Sequence, residues 1–508
     1  MPSEARACAY TVLRRVFEQD AYADRALRAE AGAADLDPRD RALAMRLAYG
    51  TIQRRGTLDH LIERLSERPL GRLDAPLLAA LRLGLYELLY TSGAPNHAIV
   101  ADTVELAKAH ARAGHGLVNA VLRRATREGA GVLAGLSDDT PEHAAVKHSH
   151  PEWIARLWWQ ELGPEHARAL MAADNEPGEV ALRANTLVTD APTLARELAG
   201  AGGARGDEAN TTGEPADDPR GGASGGPGGG SGGPGGASGG PGGASEARSG
   251  GSEARGGMPV VNTHLDPSIP EALVLEGPFD ARRSPRWREG AFIAQSRAAM
   301  LVSRVLAPEP GETVLELCAA PGGKSTHLAA LMGASGRVVA VERDRRRAGE
   351  LLRTVKRLHA ENCVHVELAD ASRPRENPEQ GGFDRVLVDP PCSGLGTLQA
   401  HADLRWRMTP ARASQLAHLQ AQILSAGAQA LRPGGVLVYS TCTISSTENE
   451  LQVAAFLDAH DDFALDDLSG ELPGLGYPSP RVPSEVALTL PHRDRTAGFF
   501  IARLRREG

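Results

Sequence analysis

A chain of 508 residues, 42% of them hydrophobic, is long enough for two or three domains with cores of their own, and its formal charge of −8 argues against a uniformly basic nucleic-acid-coating protein. Five cysteines scattered at 8, 318, 363, 392 and 442, with no C-x-x-C pair, argue against a disulfide framework or a zinc site; no metal is expected, and reduced thiols are. The start carries no apolar signal region and no run approaches ~18 apolar residues, so a soluble cytoplasmic monomer without a membrane partner is expected.

In chain order, residues 1–135 read as helices. ARACAYTVLRRVFEQ and RDRALAMRLAYGTIQRRGTLDHLIERL repeat apolar residues at the spacing of one helix face. DAPLLAALRLGLYELLY is apolar on most sides and predicts a central helix, with Asp74 as its N-cap and Pro76 in its first turn. HAIVADTVELAKAH and GLVNAVLRRA complete an all-α bundle.

From residue 136 the pattern changes. HPEWIARLWWQELGPEHARALMAADN reads as helix, VALRANTLV alternates like a strand, and DAPTLARELAGAG is helical again. Residues 201–257 are rich in Gly and Ser and offer almost no apolar side chain to bury, which predicts disorder. They also hold seven acidic residues against four Arg, so −3 of the net charge lies there. Strand-like text resumes at MPVVNTH and ALVLEG. The segment therefore reads as an insertion into a small α/β subdomain over 136–290. Loop-closure entropy grows slowly with length, so the insertion is tolerable.

From 291 to 508, strands and helices alternate. TVLELCAA, RVVAVER, CVHVELAD, FDRVLVDPPC and GGVLVYSTC are the strands; GGKSTHLAALM, DRRRAGELLRTVKRLH and SQLAHLQAQILSAGAQALRPGG are helices. Such repetition predicts a Rossmann-like α/β domain, a parallel sheet with helices on both faces. GFFIARLRR is expected at the sheet edge. Ligand sites in these sheets form beyond the carboxyl ends of the strands, and the chemistry-bearing residues fall there.

The first such exit is LELCAAPGGKST. A phosphate-cradling P-loop needs glycine where Cys318 stands, and the dinucleotide pattern G-x-G-x-x-G is absent. A third reading is a loop for S-adenosylmethionine. Ala319, Ala320, Gly322 and Gly323 have little or no side chain, so a ligand can approach the backbone. Acids end the next strands: Glu342, Asp370 and Asp389. Beyond the second strand a carboxylate can accept from ribose hydroxyls, and beyond the third it can meet an adenine amino group; each acid is also a possible helix cap.

Asp389 and Cys392 leave one strand, and Cys442 leaves a later one. In a parallel sheet both exits share one edge, so two thiols and a carboxylate can converge. Carbon 5 of cytosine is a poor nucleophile. A thiolate adding to carbon 6 makes it enamine-like, and a carboxylic acid at N3 stabilises the developing charge. Residue chemistry alone leaves open which thiol attacks.

CAAPGGK, DPPCSGLG and YSTCTISSTENE, in that order, resemble the bacterial RNA cytosine-C5 methyltransferases. The N-terminal helices resemble the RNA-binding NusB domain, and the fusion resembles the family of 16S ribosomal RNA cytosine-C5 methyltransferases that carry one. VALRANTLV is similar to that family's R-x-N-T segment. The resemblance implies a class I methyltransferase using S-adenosylmethionine, with 16S ribosomal RNA as partner and transfer RNA as the alternative. It implies that Cys318, Ala319, Ala320, Pro321, Gly322, Gly323 and Lys324 line the cofactor, with Glu342, Asp370 and Asp389 on its ribose, adenine and reacting region. It also implies Cys442 as the nucleophile, Cys392 in product release and Asp389 as a catalytic acid. Glu342 stands where the family usually has Asp, no acid follows Gln295, and Ala402 stands where Pro is common. His401 and Trp406 are candidate RNA contacts or a packed loop. Arg183 and Asn185 either touch RNA or hold the subdomain to the sheet; Arg54, Arg55, Arg123 and Arg124 either touch RNA or are solvated.

Overall fold

The computed structural model describes residues 2–111, 113–200, 262–277, 279–373, 381–472 and 485–508; the insertion expected at 201–257 lies outside the described residues. Helices α1 (Glu4–Gln19), α2 (Ala23–Ala33), α3 (Pro38–Gln53), α4 (Arg55–Ser66), α5 (Ala75–Tyr90), α6 (Asn96–His110) and α7 (His115–Ala134) come first. Their periodic apolar residues, among them Leu47, Leu61, Leu81 and Leu122, meet in one core. The run over 39–65 is broken at Arg54, whose φ of −90° and ψ of 9° turn α4 away from α3. Asp74 occupies the N-cap position of α5, but its side chain makes no capping bond.

Helices α8 (Pro141–Lys147) and α9 (Glu152–Ala173) follow. Gly163, at φ 80°, interrupts α9 just before Pro164, because the residue preceding proline is pushed out of helical geometry. Helix α9 buries Ile154, Trp158 and Leu170 against the large sheet. A small antiparallel sheet of β1 (Val180–Ala184), β2 (Thr263–Leu265), β3 (Ala272–Leu275) and β4 (Phe292–Ala294) has the order β2-β3-β1-β4. Helix α10 (Ala191–Gly200) packs on it through Leu194 and Leu198. The short α11 (Pro285–Arg288) leads into β4, which lies beyond residue 290 and still pairs with β1.

The large sheet holds β5 (Thr313–Leu317), β6 (Arg337–Glu342), β7 (Val364–Leu368), β8 (Phe383–Val388), β9 (Leu431–Thr441), β10 (Phe463–Asp466), β11 (Ala487–Leu488) and β12 (Phe500–Arg506). Its order is β10-β12-β9-β8-β5-β6-β7, with β11 beside β12. From β7 to β9 neighbouring strands run parallel, whereas β12 runs antiparallel between β9 and β10. The GFFIARLRR strand is therefore interior, not at the edge. Phe500, Ile501, Ala502 and Leu504 are all buried, and a strand that hides both faces belongs inside a sheet.

Alternate strand residues face opposite layers. Leu315, Val386 and Leu437 share a core with α9, α16 (Pro410–Ala430) and α17 (Glu450–Ala459). Val314, Leu387 and Val438 face α12 (Arg297–Leu306), α13 (Gly323–Leu331) and α14 (Arg345–Arg357). The short α15 (Leu404–Arg407) and α18 (Pro491–Asp494) lie in loops. The chain leaves β5 first toward β6 and β7, then returns to place β8 on β5's other side. That reversal opens a crevice at the strand ends. No helix of the described residues is long and apolar enough to cross a membrane.

Candidate active site

Cys318 leaves β5 with φ +65°, a region that costs a non-glycine residue energy. The Ala319 amide donates to Val341 O at 2.9 Å, tying the turn to β6. Gly322 caps α13 at φ +99°, backbone that favours glycine, and a Cβ there would lie 2.6 Å from Leu351 Cδ1. The exit is thus a short turn of small residues at the amino end of a helix. Burial pushes the Cys318 thiol up to about 12, which removes it as a nucleophile near neutral pH.

The three strand-end acids have different surroundings. Glu342 is 3% exposed; its Oε1 accepts from the Asp344 amide at 2.9 Å, while Oε2 has no hydrogen-bond partner. Arg347 Nη1 lies 3.5 Å from that Oε2. Asp344, not Glu342, caps α14. Asp370 is exposed and accepts from the amide and hydroxyl of Ser372, bonds that hold its carboxyl below the usual range. Asp389 Oδ2 accepts from Lys324 Nζ at 2.6 Å, and its Oδ1 accepts from Ser440 Oγ at 3.1 Å. Burial works to lower the Lys324 ammonium, but the Asp389 charge and hydrogen bond outweigh it and raise it.

The Cys392 and Cys442 sulfurs lie 3.2 Å apart. Two loops are locked to each other to achieve this. The Gly396 amide donates to Cys442 O at 3.0 Å, and the Gly498 amide donates to Gly396 O at 2.7 Å. A Cβ on Gly396 would sit 2.0 Å from Gly498 O, so the DPPCSGLG glycine permits this backbone approach. Beneath the thiols, fully buried Glu448 accepts from the Ser393 amide at 2.8 Å, from the Ser393 hydroxyl, and from Gln420 Nε2 at 2.9 Å. Gln420 also donates to Pro391 O at 3.0 Å, and Tyr439 donates to Glu448 O at 2.7 Å. Helix α9 braces the same loop: Trp158 Nε1 donates to Ile444 O at 3.1 Å, and Glu161 accepts from the Ser446 amide at 3.0 Å. The hydrogen bond with Cys442, together with burial, drives the Cys392 thiol well above its ordinary value.

The structure therefore brings Cys392 and Cys442 into contact, and joins Asp389 to Lys324. Ser440, Ser393, Gln420 and Glu448 are site residues that sequence reading missed. Ser393, Ser440 and Glu448 lie within the quoted DPPCSGLG and YSTCTISSTENE stretches, whereas Gln420, on α16, carried no local signal. Arg183 is wholly buried and donates to Gln295 Oε1 at 2.9 Å, Gly323 O at 2.5 Å and Thr326 Oγ1 at 2.9 Å. Asn185 donates to Gly290 O and Leu358 O, both at 2.9 Å. Both residues hold the small sheet to the large one. Trp406 donates to Ile52 O at 2.7 Å and packs on the helical bundle, so it joins domains. Arg54 stacks on Tyr90, and Arg55 on Phe17 and Trp406. Arg124 pairs with Glu67 and Glu128. His401 is exposed, and Arg123 bonds Asn119 on an exposed face.

A Rossmann-like sheet with a side-chain-poor first exit and an acid beyond its second strand is the frame of a nucleotide-cofactor enzyme, and the family matches make that class the methyltransferases. Residues 303–505 match the family model for 16S rRNA methyltransferase RsmB/F, residues 3–127 that of the NusB family, and residues 150–209 that of the RsmF/B-like ferredoxin-like domain. The probable ribosomal RNA small subunit methyltransferase B of Synechocystis sp. is 34% identical, over 99% of this chain and 99% of its own. That of Bacillus subtilis is 30% identical, over 100% and 99%. Among solved structures, PH0851 covers 100% of this chain and 99% of its own, with a TM-score of 0.73 at 24% identity. NSun6 from Pyrococcus horikoshii with SFG covers 70% and 98%, with a TM-score of 0.53 at 22% identity; these two likenesses are of fold. The chain belongs to the RsmB/F family of 16S ribosomal RNA methyltransferases.

Proposed function

We propose that this chain methylates carbon 5 of a cytosine in 16S ribosomal RNA through a covalent Cys442–cytosine adduct. The observation that carries this reading is the pair of sulfurs 3.2 Å apart, at the same sheet edge as a carboxyl held by Lys324. The small-subunit RNA named in its relatives supports the substrate. The S-adenosylmethionine analogue SFG in a neighbour of the same fold supports the cofactor.

The residues present fit such a cofactor. Glu342 keeps one buried carboxylate oxygen without a hydrogen-bond partner, suited to ribose hydroxyls, and Ala319, Ala320, Pro321, Gly322 and Gly323 leave the backbone approachable. Cys318 and Lys324 bound this loop, and Asp370 stands at the next strand exit. When bound, S-adenosylmethionine supplies the methyl group.

The chain's own residues then divide the work. Cys442, as thiolate, adds to carbon 6 of the ring, and the electron pair displaced toward N3 is met by the acid Asp389. After carbon 5 is methylated it loses its proton to a base, the carbon 6–sulfur bond breaks, and Cys442 leaves as thiolate. Cys392 keeps its proton because its neighbour and its burial disfavour the thiolate. Its S–H can therefore donate to the departing Cys442 sulfur, which assists release.

Methyl transfer to 16S ribosomal RNA tests the assignment, with transfer RNA as the second arm. Cys442→Ala should abolish transfer and form no adduct. Cys392→Ala should accumulate a denaturant-resistant protein–RNA adduct. Full activity of Cys442→Ala would refute the assigned nucleophile.

A further inference from the structure

A cleft of about 500 Å³ lies where the helical bundle, the small sheet and the large sheet meet. Five arginines line it: Arg25 and Arg28 from α2, Arg282 from the turn before α11, and Arg353 and Arg357 from α14. Its acids are Asp24 and Glu350, so cations outnumber anions five to two in a chain whose net charge is −8. Arg25, Arg28, Arg282 and Arg353 are exposed. Among the described residues none of these four forms an ion pair, unlike Arg124, Arg297 and Arg503, which each pair with acids. Arg357 stacks on Trp287 at 4.3 Å and donates to Trp287 O and Phe292 O, so it forms a fixed wall. Pro321, from the small-residue turn beyond β5, also lines the cleft.

Guanidinium groups gathered from three parts of the fold repel one another unless an anion sits among them. Burial first, and the neighbouring Arg282 charge second, lower the Arg357 guanidinium to about 10. The planar fork of arginine matches phosphate oxygens in pairs. A concave cleft does not admit a flat membrane surface, whereas a nucleic-acid strand can thread it.

We propose that this cleft binds the phosphate backbone of the substrate RNA beside the cofactor turn, without reading its sequence. The inference rests on the RNA-methyltransferase reading above. It assigns to α2, and not to the outer face carrying Arg123, the backbone contact nearest the reaction.

The test uses the full chain and a 16S ribosomal RNA transcript. Arg28→Glu with Arg353→Glu should weaken RNA binding by at least about tenfold at moderate salt. It should also flatten the dependence of log affinity on log salt by about 1.4 to 1.8, as expected for two lost phosphate contacts. S-adenosylmethionine affinity by calorimetry and the melting temperature should match wild type, since both side chains are exposed. Arg28→Lys with Arg353→Lys should keep most of the salt dependence. Wild-type affinity and salt slope in the charge-reversed variant, with wild type still methylating, would overturn the cleft alone. A wild-type chain that neither binds nor methylates RNA would overturn the functional reading, and the cleft with it.

Discussion

Lys324 Nζ lies 2.6 Å from Asp389 Oδ2, although 65 positions separate the two residues. The ammonium is 12% exposed and the carboxylate 25%, so solvent screens the pair only in part. Phe499 places its ring 5.2 Å from the same Nζ. The cation, together with the Ser440 hydroxyl, fixes where Asp389 points.

Lys324→Met should therefore leave Asp389 without its anchor. Single-turnover methyl transfer is expected to fall about 10²- to 10³-fold, the effect of losing one oriented electrostatic group. A rate within threefold of wild type would show that Asp389 needs no cation.

Glu448 is the acceptor for three donors beneath the thiols. Glu448→Ala strands the buried Ser393 amide, at about 1–3 kcal/mol, and leaves Gln420 only its bond to Pro391 O and the Ser393 hydroxyl only its bond to Thr443. Chemical denaturation should show a loss of about 2–4 kcal/mol after partial repacking. Glu448→Gln, which keeps one acceptor oxygen, should fall between the two.

Glu316 lies within β5, wholly buried beside the site, and burial raises its carboxyl from 4.5 to about 8. It is therefore neutral at pH 7 and does not compete with Asp389 for Lys324. Its folded value lies above its unfolded one. The folded state thus holds the extra proton between the two values, and stability falls as pH rises from about 4.5 to about 8. Glu316→Gln, which mimics the protonated acid, should flatten that fall. Melting temperatures at pH 5 and pH 8.5 measure it; parallel curves for both proteins would show that another group is responsible.

Arg183 donates to the Gly323 carbonyl at 2.5 Å and to Thr326 at the start of α13. Arg183→Met removes the brace from the small sheet to the small-residue turn. Calorimetry should show S-adenosylmethionine affinity about tenfold weaker, one charge-assisted contact's worth of ordering. Unchanged affinity would limit Arg183 to holding the two sheets together.

Much of the architecture is legible in the sequence. Apolar spacing located the bundle helices, and strand–helix alternation located β5 to β9 with their exits. The GFFIARLRR strand was misplaced because local pattern says that a segment is buried, not which strands flank it. Trp406 was ambiguous for the same reason, since its partner, Ile52, belongs to a different domain. Asp370 and Asp389 look alike as strand-end acids, yet one bonds its own turn and the other a lysine from another loop.

What the sequence by itself determined is the set of elements and the chemistry carried at their ends, because side-chain periodicity and turn residues act within a few positions of the chain. Only the tertiary structure decided that Cys392 meets Cys442, and that Glu448 reaches Ser393 and Gln420, 55 and 28 positions away. Those contacts follow from strand order and parallel register, which set distant exits side by side and which no local pattern encodes.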